Sequence, residues 1–154
     1  MRPDIKSLRN SMKIYGNEGK KMTKRIMVVD DDADIRFTIE QAMEFYNDDY
    51  EVILATDGKH CFQLLEEGKK PDLILLDLMM PGMDGFSVFD KLKARQSPYS
   101  SIPVVFLTAK KDNDSVDIGK LFGEDFIEKP FEFDDLIQRV EKILNKNDND
   151  EIDS

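Results

Sequence analysis

Asp72-Leu-Ile-Leu-Leu-Asp77, followed at once by Leu78-Met-Met-Pro-Gly-Met-Asp-Gly85, is the stretch that decides the fold. Its unbroken apolar run reads as a strand buried on both faces, and the Pro-Gly pair that follows reads as a loop. Asp77 therefore stands at the carboxyl end of a buried strand. A carboxylate there is badly placed for packing and well placed for chemistry on a phosphate or a metal.

On either side of this strand, apolar runs alternate with helical patterns. Arg25 to Val29 reads as a first strand, and Ile35, Ile39, Ala42, Met43 and Tyr46 recur at helical spacing after it. Tyr50 to Ala55 is a second strand, and Lys59 to Glu67 carries Cys61, Leu64 and Leu65 on a second helix. After the quoted strand, Phe86, Phe89, Leu92 and Lys93 begin a third helix. Pro103 to Leu107 is a fourth strand, residues 113–121 a weak fourth helix, and Asp125 to Ile127 a short fifth strand. Phe133, Leu136, Ile137, Val140, Ile143 and Leu144 give the last helix an apolar face. Such alternation predicts an α/β fold: a doubly wound, five-stranded parallel sheet with right-handed crossovers and five helices on its two faces.

The chain has 154 residues, enough for one domain with a substantial core and too few for two ordinary ones. Charge is unevenly distributed. Residues 1–25 hold eight Lys/Arg against two Asp/Glu, a net of +6; with −10 for the whole chain, the remainder carries −16. So acidic a body disfavours direct nucleic-acid binding and favours a partner with a basic patch. Cys61 is the only cysteine, so no internal disulfide can form, and a reducing compartment is the simplest setting. No run approaches the roughly 18 apolar residues of a membrane span, and the N-terminus lacks the apolar core of a secretory signal, so no membrane association is expected and the cytoplasm is the default.

Residues 1–24 show no sustained apolar period and are expected to be a mobile basic arm or an extension upstream of the natural start. The domain proper is placed at 25–145. Residues 146–154 are polar and acidic and read as a frayed tail, with no output domain after it.

In a doubly wound sheet, functional groups collect at the carboxyl ends of the strands. Those ends carry Asp30-Asp31-Asp32 after strand one, Asp77 after strand three, Thr108 after strand four and Lys129 after strand five. Two carboxylates about 4 Å apart repel by roughly 4 kcal/mol at an effective dielectric of 20, so an acidic cluster of this kind calls for a cation. The plainer reading, helix capping, suits Asp32 and Asp34, which stand where the first helix begins.

Met27-Val-Val-Asp-Asp-Asp32, Leu75-Leu-Asp-Leu-Met-Met-Pro-Gly-Met-Asp-Gly85, Leu107-Thr-Ala109 and Phe126-Ile-Glu-Lys-Pro-Phe131 occur in this order. Together they resemble the receiver domains of two-component response regulators, over about residues 25–145. The resemblance implies a flavodoxin-like receiver fold with strand order 2-1-3-4-5 and makes Asp77 the phosphoacceptor. It implies Mg²⁺ held directly by Asp31, Asp77 and the backbone carbonyl of Met79, with Asp30 acting through water. Lys129 would pair with a phosphoryl oxygen and with Asp77, with Lys129-Pro130 cis as is common in the family, and Thr108 would donate its hydroxyl to the phosphoryl group. Phe126 occupies the aromatic switch position.

The match weakens between Ala109 and Glu128, where Gly123-Glu-Asp-Phe126 is one residue shorter than the common family form. Met79 and Lys110 flank the expected phosphoryl group, and an apolar Met79 cannot orient an attacking water. The phosphorylated form is therefore expected to be long-lived. His60, the only histidine, lies at the start of the second helix, away from the site, and Cys61 and the eight methionines read as packing residues.

The function expected from these readings is that of a stand-alone receiver without enzymatic turnover of its own. It would accept phosphate from a sensor histidine kinase and signal to a downstream protein or a histidine phosphotransfer protein, as a monomer or a phosphorylation-dependent dimer. Two alternatives stand beside it. One is a degenerate receiver acting only as an interaction module. The other is a Mg²⁺-dependent phosphatase, against which Asp77-Leu-Met79 lacks the second carboxylate of the Asp-x-Asp pair in haloacid dehalogenase-like enzymes.

Overall fold

Parallel strands covered on both faces must be apolar at every position, and Leu73, Ile74, Leu75 and Leu76 are all fully buried. The computed structural model describes residues 23–109 and 125–152, with side chains to residue 147. The chain runs β1 (Lys24–Val29), α1 (Ala33–Tyr46), β2 (Tyr50–Ala55), α2 (Gly58–Glu66), β3 (Leu73–Asp77), α3 (Gly85–Lys93), β4 (Val104–Ala109), β5 (Asp125–Lys129) and α4 (Phe133–Ile152). All five strands are parallel, in the order β2-β1-β3-β4-β5. The sheet and its order agree with the sequence reading. Four helices lie among the described residues, and the helix expected at 113–121, Lys110 and the shortened Gly123-Glu124 segment lie outside them.

The two-residue period of a strand sends alternate side chains to opposite faces. Ile26, Val28, Leu73, Leu75, Val105 and Leu107 meet Ile39 and Met43 of α1 and Leu136, Val140 and Ile143 of α4. Met27, Val29, Ile74, Leu76, Val104 and Phe106 meet Cys61 and Leu65 of α2 and Val88, Phe89 and Leu92 of α3. Phe106 lies 5.9 Å from the Phe86 ring and 5.2 Å from the Phe89 ring, centroid to centroid, both tilted. Aromatic pairs of this geometry contribute about 0.5–1.5 kcal/mol beyond their buried area. Cys61 is fully buried against the Met27 sulfur at 3.7 Å, a packing role as expected.

Carboxylates set where three helices begin. Asp32 accepts from the Asp34 and Ile35 amides, Asp57 from His60, and Asp84 from Ser87, each satisfying an amide that has no partner within its helix. Asp32 thus has the capping role read from the sequence, and Asp34 lies in the first turn of α1, where a negative charge suits the helix dipole. The last helix continues to Ile152, into the stretch 146–154 that the sequence reading gives to a frayed tail. Asn145 to Ile152 contains no glycine or proline to stop a helix already anchored by Ile143 and Leu144. Among the described residues, no helix is long and apolar enough to cross a membrane.

Candidate functional site

Strand order reverses beside β1, whose neighbours are β2 and β3, so the carboxyl ends of β1 and β3 flank the switch point. Asp30, Asp77 and Thr108 are the buried polar side chains among the described residues, and all three stand at this end of the sheet. The hydrophobic pattern brings them there: each ends a strand whose preceding residues are apolar, so burial of the strand carries the polar terminus inward. Asp31, next to Asp30, is exposed and forms the outer lip.

One carboxylate oxygen from each of Asp30, Asp31 and Asp77 lies within 4.8 Å of the others. Lys129 reaches across from β5 to 2.7 Å from Asp30 Oδ2 and 3.5 Å from Asp77 Oδ1. The sequence reading paired Lys129 with Asp77; its shorter contact is with Asp30. The other Asp30 oxygen accepts the Asp32 amide at 2.9 Å, and Arg36 Nη1 donates to the Asp30 backbone carbonyl at 2.7 Å. The Asp77 carboxylate accepts the Met79 amide at 3.2 Å. The Met79 side chain is 58% exposed.

Electrostatics follow from this crowding. Burial, and next the Asp30 charge, push the Asp77 carboxyl up to about 7, opposed by Lys129 and by the Met79 amide. For Lys129, burial alone would lower the ammonium pKa. The hydrogen bond and charge of Asp30, reinforced by Asp77, outweigh burial and hold it above its ordinary value. Thr108 pairs with Glu128 in the sheet, one residue past the Asp77–Leu107 partners, and its Oγ1 is buried without a hydrogen-bond partner among the described residues. Lys129-Pro130 is cis, as anticipated. Phe126 is half-buried against the α2–α3 side of the core. His60 is engaged with Thr56 through Nδ1, which accepts that residue's amide at 3.1 Å.

Two features of the site had not been read from the sequence. Arg36 follows the acidic run by one helical turn, and its link to the Asp30 carbonyl steadies that run. Gly85 opens α3 and donates its amide to the Leu78 carbonyl at 3.0 Å. A Cβ at Gly85 would collide with the Asp77 carbonyl oxygen and stand 2.7 Å from Leu78 Cα. The glycine of Met83-Asp-Gly85 is the signal that could have revealed this close approach. We expect Gly85→Ala to destabilise the fold by about 1–3 kcal/mol and, by displacing the peptide that follows Asp77, to slow any reaction at its carboxylate. Urea unfolding together with the rate of phosphoryl uptake checks both.

The sheet order and the lysine-bridged carboxylate cluster at its switch point define a doubly wound α/β domain with an acidic, cation-suited site. Residues 26–141 match the response regulator receiver domain, and the chain belongs to that family, the phosphorylatable signalling modules of two-component systems. The DNA-binding response regulator MtrA of Mycolicibacterium paratuberculosis is 38% identical over 130 residues, covering 84% of this chain and 55% of that protein. The CheY-like response regulator receiver domain protein of Methanospirillum hungatei superposes with a TM-score of 0.70 at 32% identity, covering 82% of this chain and 98% of the other. The receiver domain of NtrX from Brucella abortus gives 0.70 at 28%, covering 78% and 98%. The chain spans about half the length of the curated relatives it matches.

Proposed function

We propose that this receiver takes a phosphoryl group from a sensor histidine kinase onto Asp77 and signals through the altered surface that results. The observation that carries this reading is the Thr108 hydroxyl, buried and unpaired at the end of the strand next to the one that bears Asp77. A buried polar group left unsatisfied costs about 1–3 kcal/mol, and a phosphoryl oxygen on Asp77 is the acceptor it lacks. In the reaction, an Asp77 carboxylate oxygen forms the new P–O bond as the bond from phosphorus to the donor breaks, its electron pair leaving with the donor. Lys129, already bridging Asp30 and Asp77, balances the incoming negative charge.

Mg²⁺ fits the donor set. Asp30, Asp31 and Asp77 supply hard oxygens within one ion's reach, and the exposed position of Asp31 leaves a side open to water. Both Asp30 oxygens are engaged by Lys129 and the Asp32 amide, which supports its acting through water, with Asp31, Asp77 and the Met79 carbonyl as direct ligands. Bound there, the cation would neutralise charge on the phosphoryl oxygens. Phe126 would pass the change to the face of β5 and α4, where a downstream protein or a histidine phosphotransfer protein docks. This reading takes the domain at 25–145 to act in the cytoplasm, without direct contact to nucleic acid.

Incubation with Mg²⁺ and a small acyl phosphate, followed by intact-mass measurement over time, tests the proposal. The expected result is a gain of one phosphoryl group that requires Mg²⁺ and persists after the donor is removed, because Met79 cannot orient an attacking water. No gain would leave an interaction module, and continuous phosphate release from small esters would mean a phosphatase. Loss of the mark within seconds would overturn its durability.

A further inference from the structure

α1 and α4 lie on the same face of the sheet and leave between them an apolar groove of about 670 Å³. Phe37, Phe45, Tyr46 and Phe133 line it with 61, 64, 52 and 41% of their surfaces exposed. Four large aromatic side chains gathered so openly mark a binding surface. Its surroundings are acidic: Asp134 lines the groove, Glu40 and Glu44 stand on α1, and Glu141 on α4 accepts the Tyr50 hydroxyl at 3.2 Å. A second copy of this face would bring the same carboxylates against themselves. A basic segment with spaced apolar residues suits it.

Such a segment is tethered next to the groove. The Lys24 amide donates to the Asp49 carbonyl at 2.8 Å, which places the entry to β1 at the turn leaving α1, three residues past Tyr46. Residues 1–22 carry six Lys/Arg against Asp4 and Glu18, with Ile5, Leu8, Met12 and Tyr15 three or four residues apart. That pattern is too short to sustain a free helix and sufficient for one face of a docked segment. The seven residues between Tyr15 and Thr23 can span about 23 Å, and α1 is about 21 Å long, so the whole groove is within reach. Tethering supplies an effective concentration in the millimolar range, so a weak contact would still be populated.

We propose that residues 1–22 close this groove from within the same chain, their apolar residues on Phe37, Phe45, Tyr46 and Phe133 and their basic residues against the acidic rim. This inference is independent of phosphorylation at Asp77. A nitroxide attached at Ser11→Cys in the 154-residue chain, with the buried Cys61 left in place, tests it through the amide NMR spectrum. The expected result is that signals from the groove-lining stretches of α1 and α4 lose most of their intensity while those of α2 and α3 keep theirs. Adding Lys6→Glu, Arg9→Glu and Lys13→Glu should restore most of the lost intensity. Uniform loss, or none, would overturn the proposal. So would loss that appears when labelled chains without isotope are mixed with unlabelled isotopic chains, which would make a second copy the occupant.

Discussion

An Asp77→Asn chain takes up no detectable phosphoryl group from a small acyl phosphate and is, in metal-free buffer above neutral pH, more stable than the parent. Both results come from one geometry. The amide oxygen of asparagine is a poor nucleophile, and Asp30, Asp31, Thr108 and Lys129 remain to bind but have nothing to transfer to. The stability gain has the opposite sign from that of an ordinary surface change, because Asp77 is a carboxylate buried beside another one.

The pH dependence follows from the carboxyl being pushed up to about 7 in the folded protein. Between roughly pH 4 and pH 7 the folded state holds a proton there that the unfolded chain has released, so stability falls as pH rises through that window. Above it, the full penalty of a buried charge is present. We expect Asp77→Asn to raise the unfolding free energy by roughly 2 kcal/mol at pH 8 and by little at pH 4. Denaturant titrations at the two pH values measure the difference. Equal effects at both would show that burial of the Asp77 charge is not what destabilises the metal-free domain.

Much of this was legible in the sequence because burial and chemistry use different residue types. Leu73 to Leu76 had to be a strand covered on both sides, and a carboxylate directly after them had to lie at its exit. The same logic placed Asp30 and Thr108, which end apolar runs; Lys129 ends the short strand Asp125–Lys129 after the exposed Glu128 and was legible through its motif. Pairing between those ends was less legible. Asp30 and Asp77 terminate neighbouring strands, and which of them Lys129 approaches depends on sheet twist and on the reach of its side chain rather than on spacing. The Gly85 contact was hidden for a related reason: a missing side chain signals a close neighbour only once the neighbour is known. The extension of α4 to Ile152 is not legible because a polar stretch carries no apolar period, whereas packing of Ile143 and Leu144 anchors a helix whose backbone runs onward.

Lys129→Met should reduce the metal-free unfolding free energy by about 3 kcal/mol, the range seen when one partner of a buried ion pair is removed. Among the described residues Lys129 is the cation closest to the carboxylates of Asp30 and Asp77, whose side chains are 0 and 6% exposed, and methionine keeps most of its stem packing while removing the charge. The loss should be smaller at pH 5 than at pH 8, since protonation of Asp77, whose carboxyl burial pushes up to about 7, relieves the same repulsion. It should also shrink in Asp30→Asn/Lys129→Met, where the closest uncompensated charge is gone, so the double change recovers part of the loss and the two effects are not additive. Millimolar Mg²⁺ should stabilise the Lys129→Met chain, because a cation between Asp30, Asp31 and Asp77 supplies the missing positive charge. Phosphoryl uptake should slow without vanishing, which separates Lys129, a group that balances charge, from Asp77, which forms the bond. A Lys129→Met chain as stable as the parent and indifferent to Mg²⁺ would mean that water, rather than lysine or metal, carries the charge of this site.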